Sequence, residues 1–420
     1  MKMSEPPKVT EQQITEANQH LDALLGVEAR KPGKAASHPA VIRVIEQLEP
    51  AGGFDFPVFP ASYAGEGKND PPPVYDLNGI EWGDLEQEWA DDNHRKHLRY
   101  KVLRARQCTI DSPQSQANRT ELAFLVDEEL RKLVPQGTAR IPGKPEPTSV
   151  LQLPHRIGDF RVRLSRQSET VKAAISDFAH GDGLALLKLM PTSLIFGFWD
   201  SRGDGYKHAR ILLSRIDAFN VTPFEKHSVY NAPYSKDEFA SEVLEKQSTT
   251  KAEEDAIATC GFSNALSKKG SLGGILCEKI ERLSLISLTD IASIFCGEAQ
   301  KTNAARRYLL ALAVLAEAYP RSRGSHRLRS GCELLQKAAT KHELLGAGRG
   351  SAEAQGLLGL CDNRELLIAV AVRAGDELGI PPNLPEFECF APDLKAEFEK
   401  AAKVKPPQEK IEAAKAGKGK

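Results

Sequence analysis

Long apolar runs are missing from this 420-residue sequence. No stretch approaches the roughly eighteen consecutive apolar residues of a membrane-spanning helix. The most apolar run, Tyr308 to Ala318, has only the length of a core helix. The opening residues MKMSEPPKVTEQQ are polar and lack the apolar segment of a secretion signal. A cytoplasmic protein with no membrane partner is expected. Cysteine supplies no framework either. The seven cysteines (108, 260, 277, 296, 332, 361 and 389) are scattered, odd in number and contain no CxxC pair. Neither a zinc site nor a disulfide set follows from that spacing, and buried reduced thiols are expected. No GxxxxGK[ST] loop occurs, so nucleotide triphosphatase chemistry has no support. No metal and no other cofactor is called for. The net charge of −1 also lacks the basic excess common in dedicated nucleic-acid binders.

The average hides a local pattern. Residues 81–92, EWGDLEQEWADD, hold six acids and two tryptophans, whereas residues 93–110 hold six Lys or Arg and no acid. RSRGSHRLR at 321–329 adds four arginines, and Arg156, Arg161, Arg163 and Arg166 form a third basic stretch. Such runs suit either solvated faces laced by ion pairs or a polyanion-binding side on a neutral protein.

The apolar spacing predicts helices over 7–30 and 38–49, the second with Val41, Ile42, Val44, Ile45 and Leu48 on one stripe. A Gly/Pro-rich loop spans 52–73 and a strand runs from Tyr100 to Ile110. Ser112 followed by Pro113 marks a helix start, and Leu122, Leu125, Val126, Leu130 and Leu133 give that helix its apolar face up to Pro135. Strands are expected at 193–201, 209–223 and 326–335. Thr302 is expected to cap a buried helix through RRYLLALAVLAEAY, and Asp362–Gly379 forms a later helix. Stripped of insertions the order is strand, helix, strand, strand, helix, strand. This predicts an α+β fold, a modified RRM-like or ferredoxin-like core over about 95–335. Insertions fall at about 135–192 and 224–265, extra helices lie on either side (1–94 and 336–399), and a disordered basic tail occupies 400–420.

Four segments carry candidate chemistry. In DSPQSQANR, 111–119, a strand end meets a helix start, so Ser112, Gln114, Ser115, Gln116, Asn118 and Arg119 either hold phosphates and riboses or form a plain helix cap. PHRIGD, 154–159, offers His155, Arg156 and Asp159 for acid–base work, a polar network or a phosphate contact. In FGFWDSRG, 196–203, Phe196, Phe198 and Asp200 share one face and Trp199 takes the other; core packing is favoured over base stacking there. SKKGSLGG, 267–274, sets Lys268 and Lys269 beside flexible glycines where a phosphate chain could approach.

DSPQSQANRTE, PHRIGD, LIFGFWDSRG with KHARILLSRIDAFNV, and RLRSGC occur in that order between about residues 40 and 335. Together they resemble the RAMP-superfamily backbone subunit of type I-G (formerly I-U) CRISPR systems, the Cas-seven-like component of Cascade. Where that family reads near DSVQSQANR, this chain has Pro113, a small departure at a non-contacting position. The resemblance implies a non-enzymatic subunit that polymerises along a CRISPR RNA. It would present the guide for pairing with target DNA beside other Cascade subunits and further copies of itself. Arg119, Arg156, Arg202, Lys207, Arg210 and Arg215 are then expected on RNA phosphates, and EWGDLEQEWADD on a neighbouring copy. A thumb that kinks the guide is expected within 135–166 or 224–260. Two alternatives stay open: a RAMP ribonuclease using Asp111, Asp159 or Asp200, with His155 if metal-independent, or a purely structural filament subunit.

Overall fold

The computed structural model describes residues 9–25, 38–63, 74–90, 96–226 (except 142, 145 and 201–204), 229–230, 236–245, 250–261, 265–266, 272–346, 352–389 and a few positions up to 399. The basic tail expected at 400–420 lies outside these residues, as do Arg202, Lys268 and Lys269.

A nine-stranded antiparallel sheet organises the chain. Its strands are β1 (Pro39–Pro50), β2 (Leu77–Ala90), β3 (Lys96–Asp111), β4 (Leu212–Glu225), β5 (Leu272–Leu276), β6 (Lys279–Ser287), β7 (His326–Arg329), β8 (Cys332–Gln336) and β9 (Lys341–Gly346). They lie in the order β7–β8–β1–β6–β4–β3–β2, with β5 added beside β4 and β9 beside β1. Thirteen α-helices accompany the sheet among the described residues. Those used below are α1 (Glu11–Leu25), α2 (Pro113–Glu121), α3 (Pro191–Phe196), α4 (Ala299–Ser322) and α5 (Arg364–Leu378).

The strand β1 overturns the helix expected at 38–49. Val41, Ile42, Val44, Ile45 and Leu48 fit a helical stripe, but four of the five are β-branched and suit a pleated surface better. The alternation settles there: Ile42, Val44, Glu46 and Leu48 are buried, while Val41, Arg43, Ile45 and Gln47 are half-buried on the opposite face. The strand expected at 193–201 is also corrected. Pro191 opens α3 at its first turn, and Gly197, at φ +74°, ends it, so only Phe198–Trp199 is extended. The helix from Ser112 to Pro135 is broken at Leu122 into α2, Ala123–Val126 and a 3-10 turn at Leu130–Leu133. The expected strand at 326–335 is a hairpin, β7 and β8, turned by Gly331 at φ +74°. Thr302 lies inside α4 rather than capping it; its hydroxyl accepts from the Cys296 N–H at 3.0 Å and so fixes the approach to that helix.

The apolar run of α4 is buried as expected, from Tyr308 through Ala316. Its all-round hydrophobicity demands a covering on every side. That covering comes from α1, α5, α3 and the inner face of the sheet, and the Tyr308 hydroxyl donates to the Leu133 carbonyl at 2.5 Å. A second, smaller core joins Leu48, Val58, Cys108, Ile110, Ile216, Ile275 and Leu334. The opposite face of the sheet centre is less deeply buried among the described residues. Its rows Leu213–Leu285–Arg43 and Arg215–Leu283–Ile45 cross β4, β6 and β1, and every member is half-buried.

Two further expectations find their place here. Residues 135–166 do not project: Val150, Leu151, Leu153, Ile157 and Val162 are buried in the main core. Of the other expected thumb location, 224–260, residues 227–228, 231–235 and 246–249 lie outside the described residues. Among the described residues, the ribbon of β2 and β3 runs on beyond its pairing with β4. Ala105–Cys108 of β3 pairs with both β2 and β4 and Thr109–Asp111 with β4, whereas Lys96–Arg104 pairs with β2 alone. Trp82, Leu85 and Leu103 are exposed on that ribbon, whose β2 strand carries the acidic segment and whose β3 strand carries the basic one.

Candidate nucleic-acid interface

The segment Asp111–Arg119 forms the helix start its residues predict. Ser112 is extended (φ −72°, ψ 161°), its hydroxyl accepts from the Ser115 N–H at 3.3 Å, and Pro113 takes the first turn. Helical spacing then divides the motif between two sides. Gln114 and Asn118 are exposed, Ser112, Ser115 and Arg119 are half-buried, and Asp111, Gln116, Thr120 and Glu121 are buried.

The buried side holds the fold together. One Asp111 carboxylate oxygen accepts from Gln116 Nε2 at 2.6 Å and Arg119 Nε at 3.1 Å. The other accepts from Arg329 Nη2 at 3.2 Å. Arg329 also donates to the carbonyls of Phe59 and Ile110, and Arg119 to that of Leu328, so one carboxylate ties β3, α2 and β7 together. From Gln116 the network runs on across the sheet. Its Oε1 accepts from Ser214 Oγ at 3.3 Å and Arg282 Nε at 3.2 Å. Arg282 then donates to Glu46 at 3.2 Å and Glu317 at 2.8 Å, Glu46 meets His326 at 2.9 Å, and Arg321 donates to Glu317 at 2.8 and 2.9 Å. Burial alone would raise the Glu317 carboxyl, but Arg282 and Arg321 outweigh it and hold it at about 2. For Glu46, burial is likewise overcome by the His326 hydrogen bond and by Arg282, which leave it below the usual range.

PHRIGD and FGFWD meet one another. Arg156 is buried at φ +52°, lies over the Phe196 ring, donates from Nε to Glu121 at 2.8 Å and from Nη1 to the Gly197 carbonyl at 3.1 Å. Burial pushes Glu121 up to about 7 although Arg156 draws it down. Asp159 caps the turn Phe160–Arg163 by accepting from the Arg161 N–H at 3.1 Å, and Asp200 pairs with Arg163 at 3.3 Å. Gly158 sits where a Cβ would come within 2.5 Å of the Trp199 carbonyl oxygen, so the two segments touch backbone to side. Gly158→Ala must force them apart, and a loss of roughly 1–3 kcal/mol in folding stability is expected from urea melts.

The outward side of this junction differs in character. Phe196 and Phe198 are buried as expected, but Trp199 is 44 % exposed. Lys207, its cross-strand partner, sets Nζ 4.4 Å from the indole centroid, and the exposed His155 ring meets the indole edge-on at 6.3 Å and 78°. Arg210 is half-buried, with burial and nearby Arg156 lowering its affinity for its proton. Arg215, on the half-buried sheet face, donates to Asp217 at 2.6 Å and Thr109 at 3.2 Å. The structure thus brings His155 and Lys207 together, puts Gln114 and Asn118 on the surface, and turns Gln116 and Arg156 inward. Trp199 and Phe160 were not among the expected contacts. The one signal for Trp199 was its place opposite Phe198 in an alternating segment.

No group of three or more His, Cys, Asp or Glu that could hold a metal ion occurs among the described residues. No helix there is long and apolar enough to cross a membrane. Six cysteines are buried, with burial raising Cys277, Cys296 and Cys361 to about 12; Cys260 departs from the expectation and is exposed.

Residues 42–223, from β1 to near the end of β4, match the family model described as CRISPR-associated protein GSU0053 (Cas_GSU0053). No curated protein matches the chain.

Proposed function

We propose that this chain, marked as CRISPR-associated by the match over residues 42–223, is the guide-RNA-holding backbone subunit of a type I-G Cascade complex. Its partners on this reading are the CRISPR RNA, the target DNA paired to that guide, further copies of itself and other Cascade subunits, in the cytoplasm. The sheet order carries the reading. The strands β8–β1–β6–β4 have the 4-1-3-2 order of a β-α-β-β-α-β unit, with α2 ahead of β4 and α4 between β6 and β8. The hairpin β2–β3 is inserted after the first strand. Helices pack on one face of that unit, and the described residues of the other are only half-buried, an arrangement that suits an RRM-like RNA binder.

The three acids that a ribonuclease reading would use favour a non-enzymatic subunit. Asp111, Asp159 and Asp200 are each buried, and each is paired with an arginine. None faces solvent to take up a proton or share a metal ion with substrate. Guide-matched RNA incubated with the purified complex and magnesium should remain intact. Cuts at regular spacing that vanish in Asp111→Ala would overturn this part of the proposal.

The binding itself is tested by co-purification: the chain should elute with protected RNA. Lys207→Ala should weaken binding to the same degree for unrelated guide sequences and reduce the slope of log affinity against log salt by about one. A loss confined to particular sequences would contradict a grip on the RNA backbone.

A further inference from the structure

We infer that Trp199, with Lys207 and His155, is a stacking seat for one unpaired nucleobase of single-stranded RNA, an inference that rests on the RNA-holding function proposed above. The strands Phe198–Trp199 and Lys207–His208 pair so that Phe198 faces His208 and Trp199 faces Lys207. The inward pair is packed: Phe198 is buried, with its ring centroid 6.0 Å from that of His208 and 6.5 Å from that of Phe178. The Trp199 peptide is pressed against Gly158 with no room for a methyl group, and the next residue, Asp200, is held by Arg163. The backbone beneath the indole is therefore fixed on both sides, while the ring itself is left 44 % exposed. A large aromatic surface held in place but unburied is preorganised, and a planar partner that covers it loses little freedom on binding.

The surroundings specify what that planar partner carries. Lys207 sets a cation 4.4 Å from the indole centroid, and His155 adds a hydrogen-bonding ring at the edge. Two residues beyond Gly158, Phe160 repeats the arrangement: its ring is 42 % exposed with the Arg161 guanidinium 5.6 Å from the centroid. Exposed aromatic faces with adjacent cations match a chain of flat bases joined by phosphates. They suit a single strand, whose bases can leave their neighbours, and do not suit a duplex, whose faces are already stacked.

The 420-residue chain carries three tryptophans, so the double variant Trp82→Phe/Trp89→Phe leaves Trp199 as its sole indole reporter. Titrating it with a single-stranded RNA oligomer should quench its emission, and the same sequence as a duplex should not. Trp199→Ala should lower single-strand affinity roughly tenfold with the salt slope unchanged, because stacking releases no counterions. Trp199→Phe should retain most of the affinity. Tight binding that Trp199→Ala leaves within twofold, with no quenching, overturns the stacking seat while sparing the RNA-holding reading. A parent chain that binds no RNA defeats both. Intact RNA binding with lost self-association in Trp199→Ala, measured by sedimentation, would assign this surface to a protein contact and overturn the inference.

Discussion

Replacing Arg282 with methionine is expected to destabilise the fold by roughly 3 kcal/mol, the low end of the usual cost of breaking a buried ion pair, because both carboxylates it serves keep a second partner. Arg282 is fully buried, and its guanidinium is the point where Gln116, Glu46 and Glu317 converge from α2, β1 and α4. Methionine fills most of the volume but donates nothing. Glu317 keeps Arg321 and Glu46 keeps His326, so the two carboxylates are weakened in their support rather than orphaned. The deficit should depend on pH in a defined direction. Glu317 is held at about 2 in the folded chain, below an ordinary glutamate near 4.3. A depressed carboxyl contributes stability that is present above its unfolded value and is lost as pH falls through its folded one. The parent should therefore lose stability between about pH 4.5 and pH 2, where the variant has less to lose. Urea midpoints at pH 7 and pH 3 should show the gap between the two proteins narrowing on acidification. A gap that widens would mean that the Arg282 network does not stabilise through its charges.

Asp111→Ala, compared with the double variant Gln114→Ala/Asn118→Ala, should separate the two sides of α2. The single change removes an acceptor from Gln116, which is buried and has no route to water, and from Arg119 and Arg329, which are half-buried and have one. Counting mainly the buried amide, a loss of roughly 2–3 kcal/mol is expected. The double change touches only exposed side chains and should leave stability within about 0.5 kcal/mol. Its effect should appear in RNA affinity instead, as a severalfold weakening without a change in melting. If the double variant melts earlier than Asp111→Ala, the division of the motif into a supporting side and a binding side is wrong.

That division marks the limit of what the sequence could tell. The helix start at Ser112–Pro113 and the burial of the run beginning at Tyr308 were legible, because each depends on neighbours within a turn or two. The direction of Asp111 and Gln116 was not. Their partners Arg329 and Arg282 lie 218 and 166 residues away, and no local spacing announces them. The motif therefore looked like a grip on phosphate when half of it is internal scaffolding. The same distance problem hid β1, whose apolar residues satisfy a helical stripe until distant strands pair along both of its edges. Within 81–110 the strand from Tyr100 to Ile110 was legible, but the acidic run was read only as charge and not as its partner in one ribbon. The β-branched residues flanking that run are too few to outweigh the charged ones.

The position of β1 also dictates when this protein can exist at all. It leaves the ribosome before all of its hydrogen-bonding neighbours, which are β6 on one edge, where Ile42 faces Ile286, and β8 and β9 on the other, where Ile42 faces Leu344. At about 5–20 residues per second, translation needs on the order of ten to sixty seconds to deliver both. Until β6 follows, a strand rich in valine and isoleucine has no native partner, the circumstance in which nascent chains associate wrongly. Exposure to wrong association during synthesis is therefore expected to fall in two steps, first as β6 and then as β8 and β9 clear the exit tunnel.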